Sequence, residues 1–149
     1  MIQATDQKIV RLLSPQSGTA LTSAELDTVQ SGVKVDYAVI YYIFGVIGAG
    51  GISAGNFKLQ HSDTSGSGFV DIPALGYGTG GTFGVVTQTT DDNKIYAINV
   101  DTRKTKRYLK VTCTAAAATL ACSFAICDRI KEAPYTAASR GVTGTELLI

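Results

Sequence analysis

Through much of the chain apolar and polar side chains alternate one for one, in short runs broken by clusters of Gly, Ser, Asp and Asn. A period of two is that of a pleated strand, whose successive side chains point to opposite faces. The clearest case is 57–72. Phe57, Leu59 and His61 share one face of a strand, Ser62 to Gly68 supply turn residues, and alternation resumes at Phe69, so the segment predicts a β-hairpin. The strongest strand signal is 33–47. There Val33, Val35, Tyr37, Val39, Tyr41 and Ile43 share one face, while Ile40, Tyr42 and Phe44 add apolar weight to the other. Apolar residues on both faces predict a central strand or one that lies at an interface.

The remaining elements follow the same grammar. Lys8 to Leu13 predicts a first strand that Ser14-Pro15 ends, and Thr22-Ser23-Ala24-Glu25 resembles a capping box too short for more than a loop or a single helical turn. Pro73 to Gly84 is a glycine-dense loop. Val85 to Thr90 and Lys94 to Val100 predict a strand pair across Asp91-Asp92-Asn93. Lys106 to Thr114 and Leu120 to Ile126 predict another, joined through Ala115 to Ala118, because four alanines are too few to nucleate a helix. In that pair Cys113 falls in phase with Leu109 and Val111, and Cys122 with Leu120, Phe124 and Ile126. Roughly eight strands at regular spacing predict an all-β sandwich, jelly roll or small barrel. The expected organisation is one domain over 1–149, with a core over 7–130, a polar N-terminal arm 1–6 and a C-terminal arm 131–149 ending in Leu147-Leu148-Ile149.

Composition narrows the function classes. Thirteen Lys and Arg against 12 Asp and Glu leave a net charge of +1, so no long-range field favours nucleic acid as a partner. Three cysteines without a CxxC pair, beside one His, make no common zinc set, and no metal or cofactor is expected. Buried, reduced thiols are the preferred reading, with a cross-strand Cys113–Cys122 disulfide left open. Met1 to Asp6 lacks the basic start and apolar run of a signal peptide. Tyr37 to Phe57 carries no charged side chain, long enough to raise a membrane span. Strand formers running into Gly45, Gly48, Gly50, Gly51 and Gly55 favour a buried strand and a glycine loop instead, so no membrane partner is expected.

Each candidate for chemistry meets a plainer reading. Gly45 to Gly51 misses the spacing of a dinucleotide or phosphate loop. His61, Ser62 and Asp63 are adjacent, and adjacent residues point apart on a strand and cannot form a hydrolase relay with one another. Asp91-Asp92-Asn93 lacks the later glutamate of a calcium loop and reads as a turn. Arg103, Lys104, Lys106, Arg107 and Lys110 could meet phosphates or an acidic protein surface, or could guard a strand edge against aggregation. Tyr108 alone offers little of the stacking that a single-strand binder needs. No catalytic, cofactor-binding or metal-ligating residue is assigned, and an enzyme is not expected.

Three blocks carry a family resemblance: Asp36 to Phe44; Phe57 to Asp63 with Gly66, Phe69 and Asp71; and Lys106 to Thr112 followed by Cys122 to Ile126 and Arg129 to Pro134. In order and spacing they resemble the capsid decoration, or head cement, proteins of tailed bacteriophages over most of 33–134. The resemblance implies an all-β, jelly-roll-like antiparallel sandwich with extended N- and C-terminal arms. It implies a homo-oligomer, trimer or dimer, assembled in the host cytoplasm, located on the virion surface and bound to the major capsid protein. Weak patterning at both ends makes Met1, Ile2, Gln3, Tyr135, Leu147, Leu148 and Ile149, with Arg103 and Lys104, the expected capsid contacts. Tyr37, Val39, Tyr41 and Ile43 are the expected self-association face. The rival is a tail, baseplate or fibre module that binds a carbohydrate or host surface through Tyr77, Tyr96 and Tyr135; a hydrolase built on His61 is a third.

Overall fold

The computed structural model describes residues 7–30, 33–53, 55–72 and 86–128. Their strands are β1 (Lys8–Ala20), β2 (Leu26–Asp27), β3 (Val29–Gln30), β4 (Val33–Lys34), β5 (Tyr37–Phe44), β6 (Phe57–Ser62), β7 (Val70–Asp71), β8 (Ile95–Asp101) and β9 (Tyr108–Asp128), with one 3-10 turn at Thr102–Lys104. Every pairing is antiparallel. The fold is all-β.

The organising element is β9, whose 21 residues serve two leaves of one curled sheet. Its first part pairs with β6 and β2, and β6 carries β7 at its far edge. Its second part lies between β1 and β5, and β5 carries β8. The leaves are therefore β7-β6-β9-β2 and β1-β9-β5-β8, and β9 passes from one to the other through Ala115 to Ala118. A separate ribbon pairs β3 with β4.

The inner faces close on an aromatic cluster. Tyr42 and Phe44 from β5 meet Phe57 from β6 at centroid distances of 5.0 and 5.4 Å, and Tyr96 from β8 stands edge-on to Phe44 and Phe57 at 5.6 and 5.4 Å. Around it lie Leu21, Leu26, Ile40, Ile47, Ile52, Leu59, Leu109 and Val111, all fully buried. The Tyr42 hydroxyl donates to the Leu21 carbonyl, which satisfies the polar atom that this buried ring brings inside. Burial, with the nearby Cys113, pushes that phenol well above its ordinary range.

The glycine loop after β5 fits against the alanine run of β9. Gly48 donates to the Thr119 hydroxyl at 2.9 Å, and a Cβ there would stand 2.5 Å from the Ala118 carbonyl oxygen. Gly51 adopts φ +62, and a Cβ on it would stand 2.3 Å from the Val86 carbonyl. Glycine opposite alanine is thus the condition for close backbone approach where the sheet curls, and a phosphate cradle is not needed to explain it.

Three expectations are corrected. Ser14-Pro15 does not end β1, which continues to Ala20; both residues face a single position of β9 in a register shift, where an edge strand tolerates the missing proline N–H. Residues 106–114 and 120–126 are not a hairpin, because β9 runs straight through the alanines, which are small enough to let the strand cross beneath the glycine loop. Of the expected strand Val85 to Thr90, residue 85 lies outside the described residues and 86–90 do not pair with β8: Val86 bridges Ile52, and 87–93 form a turn that the Asp91 carboxylate closes by accepting from Thr87 N–H at 2.6 Å. The 57–72 hairpin is present as β6 and β7. Among the described residues no helix is long and apolar enough to cross a membrane.

Candidate interaction face

Residues directly opposite in a ladder share a face, so the register of the β1-β9-β5-β8 leaf fixes what its outer surface presents. Val39 lies opposite Ile126 and Asn99, Tyr41 opposite Phe124 and Ala97, and Ile43 opposite Cys122 and Ile95. On β9's other side Ile9 lies opposite Ile126 and Arg11 opposite Phe124. Tyr41 and Phe124 stack at 5.1 Å. The middle of this face is half-buried, while Ile95 is 62% exposed and Ile9 38%.

The inner side of the same β9 segment is made of small residues: Ala121, Ser123, Ala125 and Cys127, all buried. This arrangement inverts the expectation from size, which would bury Leu120, Phe124 and Ile126. The reason is spatial. Tyr42, Phe44, Phe57 and Tyr96 already fill the interior, so β9 can add only small side chains beneath them and turns its larger ones outward. Burying the outer set against a partner would recover apolar area that the chain leaves exposed, at about 25 cal/mol per Å².

The other leaf presents the opposite character. On its outer side Lys58 pairs with Asp71 at 2.9 Å, Gln60 donates to Asp71 at 2.7 Å and accepts from the Thr112 hydroxyl at 2.8 Å, and the Lys110 ammonium lies 3.9 Å from the Phe69 ring centroid. One leaf is faced with charge and amide, the other with aromatic and branched aliphatic groups.

The expected self-association residues Tyr37, Val39, Tyr41 and Ile43 thus stand together on one surface. Met1, Ile2, Gln3, Tyr135, Leu147, Leu148 and Ile149 lie outside the described residues, as do Tyr77 and both arms. Arg103 and Lys104 sit at a corner of the apolar face. Arg103 bonds both Asp101 oxygens and the Tyr37 hydroxyl, and its guanidinium lies 4.7 Å from the centre of the Tyr37 ring; Lys104 reaches Asp101 only at 3.9 Å and is 83% exposed. Lys106 pairs with Asp63 at 3.6 Å and Arg107 with Asp27 at 2.9 Å. The Arg107 guanidinium lowers the Asp27 pKa, with the Val29 N–H adding to it against burial. Each of the five clustered cations therefore has an acidic or aromatic neighbour in its own chain.

The residue types that suggested chemistry hold the backbone in place. Ser62 Oγ donates to the Ser67 carbonyl at 2.6 Å and accepts from Thr64 N–H at 3.0 Å, closing the β6–β7 turn. His61 Nδ1 accepts from Lys106 N–H at 3.3 Å. Asp92 accepts from Ile47 N–H at 2.8 Å. Among the described residues no group of three or more His, Cys, Asp or Glu is placed to hold a metal. All three cysteines are free; Cys113 and Cys127 are buried, which pushes both thiols up to about 11, and Cys122 lies half-buried on the apolar face. Cys113 and Cys122 sit on one strand in different leaves, so the disulfide left open by the sequence is not formed. Tyr96, partly buried, packs edge-on against Phe44 and Phe57 of the aromatic core.

No family model, no curated protein and no solved structure matches this chain.

Proposed function

We propose that the protein is a structural component of a bacteriophage virion, a decoration protein that seats the apolar outer face of its β1-β9-β5-β8 leaf on major capsid protein subunits and bridges them. On this reading the domain is a jelly-roll-like sandwich, it performs no catalysis, and it holds the shell by protein contact. The observation that carries the proposal is the difference between the two outer faces. Val39, Tyr41, Ile43, Phe124 and Ile126 gather on one leaf, and Lys58, Gln60, Lys110 and Asp71 on the other. A molecule that lies on a larger particle needs one face to adhere and one to meet water. The strand blocks that resemble head decoration proteins supply the identity of the particle. Arg103 and Lys104, at the rim, would add charge contacts that tune approach more than affinity. Copies repeated over a symmetric shell would reinforce one another, because each attachment raises the effective concentration of the next.

Cosedimentation of the full chain with shells that lack it tests the reading. The wild type should pellet with the shells, and Ile43→Lys or Phe124→Lys, which place a charge in the proposed contact, should weaken binding by roughly tenfold or more without loss of fold. A wild type that stays in the supernatant, or variants that bind as it does, would sink the proposal.

A further inference from the structure

The rows of the apolar face carry a charge at one position. Ile9, Ile126, Val39 and Asn99 make one row across β1, β9, β5 and β8; Arg11, Phe124, Tyr41 and Ala97 make the next; Cys122, Ile43 and Ile95 follow. Arg11 is exposed, at the β1 end of the row that holds the Tyr41–Phe124 stack. Among the described residues its guanidinium makes no ion pair, hydrogen bond or ring contact, while every other lysine and arginine there has a partner in its own chain. The acids that border this face stand elsewhere. Asp128 and Asp101 flank Tyr37 in the row beyond Ile126, where Asp101 holds Arg103 and Lys104 and Asp36 adds its charge beside Arg103. Asp128 lies four residues along β9 from Phe124, about 13 Å at the usual strand rise, out of reach of the Arg11 side chain.

We infer that Arg11 is the charged anchor of this face, and that the surface on which the face lies presents a carboxylate to it among apolar side chains. The inference rests on the reading that the face is seated on capsid subunits. Covering the Phe124 row strips water from the adjoining guanidinium, and a charge that loses water without gaining a counter-charge opposes the association. No acid among the described residues of its own chain is placed to supply that counter-charge, so the partner supplies it. A guanidinium presents a planar fork of N–H donors that a carboxylate accepts two at a time, and the pair is strong where apolar neighbours keep water away. The consequence is a fixed orientation. Apolar contact alone tolerates many placements of one sheet face on another surface, whereas one charge pair at the β1 side of the leaf selects a single seating.

Cosedimentation of the full chain over a range of concentrations of shells that lack it decides the matter, with the urea midpoint of each variant as a second reading. Arg11→Gln should weaken binding by roughly tenfold or more, and Arg11→Glu, which sets acid against acid, by roughly a hundredfold or more. Arg11→Lys keeps the charge and loses the fork, so it should fall between the wild type and Arg11→Gln. Lys58→Gln, on the charged leaf, should bind as the wild type does. All three Arg11 variants should keep the wild-type urea midpoint, because Arg11 has no partner among the described residues to lose. If the wild type pellets and Phe124→Lys does not, while Arg11→Gln and Arg11→Glu bind as the wild type does, the arginine turns to the rim: the inference falls and the seating stands. Arg11→Glu binding no worse than Arg11→Gln would also overturn it, since the facing group would not be an acid. A wild type that stays in the supernatant removes the seating, and this inference with it.

Discussion

Burial, helped by the Lys106 ammonium and opposed by Asp63, holds the His61 imidazole below its ordinary value of 6.5. The unfolded chain takes up that proton more readily than the folded one, so His61 contributes its stability in full above pH 6.5 and loses it as pH falls from there through the lowered folded value. Asp27, Asp71, Asp91 and Asp101 are lowered from 3.8 by charged or amide hydrogen-bond partners, so their contributions are lost only at more acidic pH. Urea unfolding should therefore show stability declining as pH falls below 6.5 in the wild type, ahead of the carboxylate range, and much less in His61→Gln; identical slopes would contradict the assignment. The residue types at this site were legible in the sequence, and so was the argument against a relay. What the sequence could not show is that the His61 ring accepts from a backbone N–H 45 residues away, because that partner is set by the β6–β9 register.

At the scale of elements, period-two patterning located β5, β6 and β8 but misjudged continuity. Ala115 to Ala118 looked like a connection because alanine has little strand preference. In the fold small size is what the position requires, since Gly48 and Gly50 press on this crossing. Gly48→Ala should drive a methyl into the Ala117–Ala118 backbone and cost about 1–3 kcal/mol by urea or thermal unfolding; a neutral result would mean that the loop and strand are not in that contact. The face of β9 was also unreadable from hydrophobicity alone. Leu120, Cys122, Phe124 and Ile126 are the more apolar set, and they point outward because β5 and β6 supply rings that fill the inside. Which of two apolar faces becomes the core depends on what the opposite leaf brings, and that is a property of two distant segments together. The same limit applies to β1, where Ser14-Pro15 signals an end locally and a bulge in the presence of β9.

For the whole molecule, all-β class and antiparallel layering were legible because alternation and turn residues recur along the chain. The asymmetry between a charged leaf and an apolar one was not, because it emerges only when β9 is divided between them. On the proposed reading that asymmetry gives the protein a direction: the β7-β6-β9-β2 leaf would meet water and the β1-β9-β5-β8 leaf the shell. Cys122 stands in the middle of the apolar leaf beside Ile43, and so reports on its occupancy. The direct test is maleimide labelling of the full chain, free and bound to shells, read by mass spectrometry at each cysteine. The account predicts that Cys122 labels in the free protein and is protected about tenfold or more on the shell, while buried Cys113 and Cys127 stay unlabelled in both states. Equal labelling of Cys122 in the free and bound protein would contradict it.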